Sequence, residues 1–365
     1  MNDLDRRRIK DIKAKVSAML EERASYPHAS PSKLWSAAAS TLDYMLGMDE
    51  AEFARLRLHT YRFTGDNPET YWGDAEAFRA LHKDEINAYG VPPEYRINEP
   101  EDGIGFHYDW RFISLDIIRF QRVIDTLYRR DIFGEMERRA RALTISPHVL
   151  EIGAGYGGLA HHISNIVKGK SVYVIVDLPE TLLYSASYLA LHNPNKKLYL
   201  HEKGRGIDGS EDFILIPHYR LDLLKYWKFD LVLNVASMQE MRTDQVETYL
   251  DFISKTCIGL FYSLNLDCYS KNTELSCLSD LLNAQFDTVE VGAPAGYMKY
   301  SPPKSARLLL LERLSAIYWK IMFLEVAPAL GIEAKPDTRC TVEREYFCRV
   351  KGWQNNQNVS AGLKR

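Results

Sequence analysis

The stretch Val149-Leu150-Glu151-Ile152-Gly153-Ala154-Gly155-Tyr156-Gly157-Gly158 constrains this chain more than any other. A run of strand length breaks into a glycine turn and then opens a helical pattern at Leu159-Ala160-His161. Strand, glycine turn and helix together are how a doubly wound α/β domain holds a nucleotide-like ligand. Glycine lets the backbone turn sharply and approach a ligand where a Cβ would collide.

From Val149 onward, short β-rich runs alternate with helical stretches, the pattern of a mostly parallel sheet covered on both faces. The runs His148–Ile152, Ser171–Val176, Phe213–Ile216, Asp230–Asn234, Gly259–Leu264, Thr288–Val291 and Arg307–Leu311 predict seven strands. Helices are expected at Gly158–Val167, Glu180–Leu191, Thr243–Lys255 and Glu274–Ala284. Only a Pro/Gly-rich loop, Gly292 to Ser305, separates the last two runs, so they should pair as an antiparallel hairpin. The expected fold is α/β, a seven-stranded mostly parallel doubly wound sheet preceded by a mainly helical N-terminal region.

That region covers residues 1–145, with helical periods over Asp3–Glu22, Ser32–Leu46, Asp49–Arg62 and Ser114–Tyr128. It is expected to bind substrate or to act as a lid. The sheet domain would span 146–315. A C-terminal extension, 316–365, has a helical stretch at Ala316–Leu330, a short run at Thr341–Val350 and a polar tail.

Composition excludes several classes of partner. A formal net charge of −3 gives no reason to expect nucleic acid. The apolar stretch Leu308–Leu330 is interrupted by Glu312, Arg313, Lys320 and Glu325, too charged to span a bilayer. The charged start, Met1 to Arg8, leads into no apolar core, so no secretory signal is expected. Five cysteines without a Cys-x-x-Cys spacing suit a reduced, cytoplasmic protein. A homo-oligomer stays open.

Two ligands fit the glycine turn. Gly153-x-Gly155-x-x-Gly158 satisfies the dinucleotide pattern literally. Asp177, ending the second strand, could accept hydrogen bonds from ribose hydroxyls of a dinucleotide or of S-adenosylmethionine, and it could cap the helix beginning at Leu178-Pro179-Glu180. Glu151 separates the two ligands. A carboxylate inside the first strand is costly to bury unless something satisfies it. An ammonium and a sulfonium would, whereas a pyrophosphate would be repelled. A carboxylate capping backbone amides is the plainer alternative.

Glu151-Ile152-Gly153-Ala154-Gly155-Tyr156-Gly157-Gly158 resembles the first motif of class I S-adenosylmethionine-dependent methyltransferases. Val176-Asp177-Leu178-Pro179-Glu180-Thr181 and Asn234-Val235-Ala236-Ser237-Met238-Gln239-Glu240-Met241 resemble the putative sugar O-methyltransferase family of bacterial surface-polysaccharide clusters. The resemblance covers roughly Val149 to Leu311. It implies S-adenosyl-L-methionine as cofactor, with Glu151, Gly153, Ala154 and Gly155 lining its methionine portion. Asp177 would hold the ribose and Leu178 lie beside the adenine, with Asn234 and Val235 near the sulfonium. It further implies methyl transfer to a sugar hydroxyl on a small-molecule or glycan substrate. One departure stands out: the acidic residue that many such enzymes carry soon after the third strand is replaced by Pro217-His218-Tyr219-Arg220-Leu221-Asp222.

Methyl transfer to a hydroxyl needs a base beside the attacking oxygen. Glu240, six residues past the fourth strand, is the first candidate, its alternative being a carboxylate at a helix start. His107, between Phe106 and Tyr108, is the second, with packing as the plainer reading. His218 lies nearer the adenine end, and His161 and His162 belong to a helix face. Tyr71, Trp72, Phe106, Tyr108 and Trp110, with Arg111, could form a platform for a sugar ring. Asp267 could join Glu240 on a divalent metal, which is possible but not expected. The competing functions are an NAD-dependent sugar-nucleotide oxidoreductase or epimerase and a non-catalytic methyltransferase-like scaffold.

Overall fold

In the computed structural model, residues 1–26, 28–39, 42–55, 91–100, 105–108, 111–167, 171–267, 272–291 and 343–351 are described. The chain opens with α1 (Asp3–Arg23), whose first turn is capped by the Asn2 side chain accepting the Asp5 N–H. Ile9, Ile12, Val16 and Met19 recur at helical spacing and form its buried stripe. Three shorter helices follow, α2 (Lys33–Ala39), α3 (Leu42–Gly47) and α4 (Glu50–Phe53). A two-stranded antiparallel hairpin, β1 (Phe106–Tyr108) and β2 (Arg111–Ile113), leads into α5 (Leu115–Arg129) and α6 (Ile132–Leu143).

The sheet domain then runs β3 (His148–Ile152), α7 (Gly158–Ile166), β4 (Val172–Asp177), α8 (Pro179–His192), β5 (Leu198–Leu200) and β6 (Phe213–Pro217). It continues with β7 (Phe229–Val235), α9 (Thr243–Thr256), β8 (Cys257–Leu266), α10 (Leu278–Gln285), β9 (Phe286–Val291) and β10 (Glu343–Val350). The spatial order is β5-β6-β4-β3-β7-β8-β10-β9. The strands are parallel from β5 to β8, while β10 runs antiparallel to both its neighbours.

Every residue of β4, β6 and β7 is buried, because helices cover both faces. Alternation along β3 assigns the faces. Val149 joins the core shared with α1, α5, α7 and α8, whereas Leu150 and Ile152 join the core shared with α9 and α10. The described part of residues 1–145 thus shares a core with the sheet.

The mostly parallel, doubly wound sheet expected from the sequence is present, with two differences. Among the described residues it has eight strands, one of them the short edge strand Leu198–Leu200, which pairs with β6. The antiparallel partner of β9 is Glu343–Val350, through pairs such as Phe347 with Val289. The expected partner, Arg307–Leu311, lies outside the described residues, as does Ala316–Leu330. Glu343–Val350 lacked an obvious strand pattern because it carries Glu345 and Arg349 among its apolar residues. Glu345 is buried all the same, its oxygens accepting from Tyr262 Oη at 2.6 Å and from Arg122 Nη2 at 3.2 Å. A paired carboxylate is tolerated where a free one is not.

Candidate functional site

The site is built on the carboxyl ends of β3, β4 and β7. Gly153 turns the chain at φ 73° and donates its N–H to the Val176 carbonyl at 2.9 Å, tying the turn to β4. A Cβ at Gly153 would lie 1.8 Å from Ser237 Oγ, so protein closes that side. A Cβ at Gly155, where φ is 59°, would meet nothing within 4 Å. The second glycine therefore faces open space that a side chain would fill and a ligand can use. Ala154 is buried and its carbonyl accepts the Gly157 N–H at 3.0 Å, which closes the turn ahead of α7.

Asp177 ends β4 with its carboxylate folded back on this turn. Oδ2 accepts the Gly155 N–H at 3.1 Å, and Oδ1 accepts the Leu178 N–H at 2.8 Å, immediately before α8. Burial pushes its carboxyl up to about 7, against the pull of those two backbone donors. Glu151 is only 2% exposed and accepts from Tyr173 Oη at 2.7 Å. Burial pushes its carboxyl up to about 8, with the Asp177 charge adding to the effect. Among the described residues, no Lys, Arg or His makes an ion pair with either carboxylate. Two neighbouring buried acids with no cation beside them among the described residues raise each other's affinity for a proton.

The strand order separates the two readings of the glycine turn. Counted in chain order from β3 and leaving out the edge strand β5, the strands lie 3-2-1-4-5-7-6, with an antiparallel last strand inserted between the fifth and sixth. A dinucleotide-binding sheet runs 3-2-1-4-5-6 without that insertion. This is the class I methyltransferase fold. No protein-family model and no curated protein matches the chain. Similar solved structures include WbdD, 14% identical with a TM-score of 0.34 over 48% of this chain and 38% of that one. The plantazolicin methyltransferase BpumL, solved with a triazolic desmethylPZN analog and SAH, is 12% identical over 82% of this chain and 99% of that one, at a TM-score of 0.32. A DhpI–SAH complex is 14% identical over 62% and 87%, at 0.28. The methyltransferase fold is assigned here from the strand order, not from these likenesses.

The loop after β7 carries the second half of the site in this methyltransferase fold. Asn234 is fully buried and its side chain is spent within the protein. Nδ2 donates to the Ile152 carbonyl at 2.8 Å, while Oδ1 accepts the Met238 N–H at 3.1 Å and Asn265 Nδ2 at 2.9 Å. Asn234 therefore splices the ends of β3, β7 and β8 at the strand end expected to lie near a sulfonium. Val235 is buried at the strand end, and Ala236 takes φ 53° as the chain leaves the sheet. Gln239 is likewise internal, its Oε1 accepting the Leu266 N–H at 2.7 Å. Ser237 and Met241 both lie beside Gly153. Glu240, between them in sequence, accepts from Trp35 Nε1 at 2.9 Å.

Trp35 arrives on a strap crossing the carboxyl ends of the strands. Arg23 grips the buried Glu180 of α8 with bonds of 2.8 and 3.0 Å. His218 Nε2, just past β6, donates to the Ala29 carbonyl at 2.8 Å. Arg242 Nη1 and Gln245 Nε2 donate to the Ser30 carbonyl at 2.7 and 3.0 Å. Burial lowers both His218 and His161 to about 4, so each is neutral near pH 7. Asp222 is exposed and held by the Arg220 guanidinium at 3.0 and 3.2 Å.

Several other expected residues play structural parts. Asp267 is buried and caps α10, accepting the Ser279 N–H and hydroxyl at 2.7 and 2.9 Å, so it does not join Glu240 on a metal. Among the described residues, no group of three His, Cys, Asp or Glu side chains could hold a metal ion. Arg111 is buried and donates to the Ile97 carbonyl at 2.7 Å, which removes it from a sugar platform. His107 sits exposed on the β1–β2 hairpin, its ring 4.9 Å from that of Phe112. No hydrogen bond or ring contact among the described residues joins it to the glycine turn or to Glu240. Tyr108 packs partly buried against the core, while Tyr71, Trp72 and Trp110 lie outside the described residues. No helix among those residues is long and apolar enough to cross a membrane.

Sequence reasoning missed Tyr173, Trp35 and Tyr249. Tyr173 faces the same side of the sheet as Val149, its register partner, and two-residue alternation from Glu151 could have found it. Tyr249, buried on α9, lies near enough to Asp177 for that charge to push its phenol up further. Nothing in sequence links Trp35 to Glu240, 205 residues away.

Proposed function

We propose that this protein is an S-adenosylmethionine-dependent O-methyltransferase that methylates a sugar hydroxyl on a small-molecule or glycan acceptor. The observation carrying this reading is the pairing of an open Gly155 with two buried carboxylates, Glu151 and Asp177, that meet no cation among the described residues. The residues fit the cofactor. Glu151 suits its ammonium, Asp177 its ribose hydroxyls, and Gly155 leaves room for the chain between them. Leu178, half-buried past Asp177, offers an apolar surface for the adenine.

When bound, the cofactor supplies an electrophilic methyl group on a sulfonium. The protein must hold the acceptor oxygen in line with that methyl and take up its proton. Glu240 is the proposed base, because its loop leans on the glycine turn and its loop neighbours Ser237 and Gln239 are anchored by internal hydrogen bonds. Positioning of this kind supplies up to roughly 7–11 kcal/mol of a barrier, and a base adds about 10²–10⁴-fold. The choice of a sugar over another hydroxyl rests on the resemblance of Asn234–Met241 to sugar methyltransferases. A role in surface-polysaccharide synthesis in the cytoplasm is part of the same proposal.

Titration calorimetry with S-adenosylhomocysteine tests the cofactor. Binding is expected to weaken at least tenfold in Asp177→Ala, and absence of binding to the intact protein would refute the assignment. Labelled methyl transfer to nucleotide sugars and to glycan fractions then tests the acceptor class.

A further inference from the structure

The two acids of the cofactor pocket differ in how the protein answers their charge. Asp177 receives two backbone N–H groups, from Gly155 and Leu178. Glu151 receives a single hydroxyl, from Tyr173, and is 2% exposed. Among the described residues, the side chains turned towards the pair come from three elements. Tyr173 belongs to β4 itself, and Thr181 and Glu180 reach Asp177 from α8. Tyr249 approaches Asp177 from α9. Glu180 is already neutralised by Arg23 of α1. Among the described residues none of the groups facing the two acids is a cation, and all of those that titrate add negative charge or none.

Two adjacent carboxylates in such a place cannot both stay ionised cheaply, and the one with fewer donors keeps a proton. We propose that Glu151 is a neutral carboxylic acid in the ligand-free protein and gives up its proton to solvent when an ammonium-bearing ligand enters. The site therefore exchanges a proton for the cationic group of its cofactor. Before binding, the carboxyl shares its hydrogen-bonded contact with the Tyr173 hydroxyl. After binding, the carboxylate faces the ammonium, and the displaced proton is carried off by buffer. No other bond is made or broken. Burial, opposed by the Tyr173 hydroxyl and reinforced by the Asp177 charge, pushes the Glu151 carboxyl up to about 8, consistent with this order of events.

The inference rests on the S-adenosylmethionine reading, and calorimetry separates the two. S-adenosylhomocysteine is titrated at pH 6.5 in buffers of different ionisation enthalpy, where the ligand's own ammonium stays charged throughout. The slope of observed enthalpy against buffer enthalpy counts the protons released. A value near one is expected, with affinity rising about tenfold per pH unit up to about pH 8. In Glu151→Gln the release should vanish and the pH dependence flatten. Tyr173→Phe removes the single donor to Glu151, so its proton should persist to higher pH and the affinity limb should move upward. This second variant keeps the test decisive if Glu151→Gln does not fold.

Tight binding with no proton release by the intact protein would overturn the inference and leave the cofactor reading standing. Release that survives Glu151→Gln but disappears in Asp177→Asn would overturn the assignment to Glu151. Failure of the intact protein to bind S-adenosylhomocysteine would overturn both.

Discussion

The indole Nε1–H of Trp35 donates to the Glu240 carboxylate at 2.9 Å, joining the second helix of the chain to the loop after β7. On the proposed mechanism Glu240 takes the acceptor proton. Glu240→Gln should lower methyl transfer by about 10²–10⁴-fold while leaving S-adenosylhomocysteine affinity within about threefold. Transfer of labelled methyl groups at saturating cofactor checks the first half, and calorimetry the second. A matched loss of both would instead make Glu240 a cofactor ligand.

The two glycines of the turn should respond differently to the same substitution. Gly155→Ala puts a Cβ into open space, so it should fold with a loss of about 1 kcal/mol from its left-handed backbone. Its affinity for S-adenosylhomocysteine should nevertheless fall at least tenfold, because the methyl group occupies the ligand's path. Gly153→Ala should destabilise the fold itself, since its Cβ collides with Ser237. Thermal melts with and without ligand distinguish the two outcomes.

Stability should fall on the alkaline side in the absence of ligand. Glu151 and Asp177 have folded values of about 8 and about 7, well above the roughly 4 of an unfolded carboxyl. Each bears its proton more readily folded than unfolded. Their contribution is thus intact below about pH 4 and is lost as pH rises through 7 to 8. The melting temperature should drop by roughly 5 °C or more between pH 5.5 and 8.5. Glu151→Gln should flatten that slope, as should saturating S-adenosylhomocysteine.

The opposite slope is expected in acid. His161 and His218 are buried and neutral, with values near 4 against 6.5 in the unfolded chain. Their contribution is present above about pH 6.5 and lost as pH falls through 4. Acid unfolding of His218→Phe should therefore begin at lower pH than that of the intact chain.

Arg23→Ala leaves Glu180 buried without its cation beside Asp177. It should cost about 3 kcal/mol, measured by urea unfolding. Glu180→Gln in the same background should recover part of that loss.

The glycine turn, Glu151 and Asp177 were all legible in the chain, because a strand ending in a turn is a local event. Period-two and helical patterns fall within a few residues of one another. Apart from the three-residue edge strand Leu198–Leu200, strand and helix runs from His148 to Val291 were readable for the same reason. The closing strand was not, since Glu343–Val350 hides Glu345 in a strand that only Tyr262 and Arg122 make tolerable. Asn234 shows the same limit from the other side. Its place at the end of the fourth strand did not tell that Ile152, Met238 and Asn265 would take up its side-chain amide.

The sequence by itself determined that a strand would end in a glycine turn with one acid before it and another at the end of the next strand. Backbone sterics and hydrophobic period are enough for that. It took the folded chain to bring Glu151 to a tyrosine hydroxyl, with no cation beside it among the described residues, and Trp35 to Glu240. Those outcomes depend on which side chains converge from distant segments, and burial then sets how each carboxyl holds its charge. The acid inside the first strand, costly in isolation, is the residue that the proposed function sets against a cation.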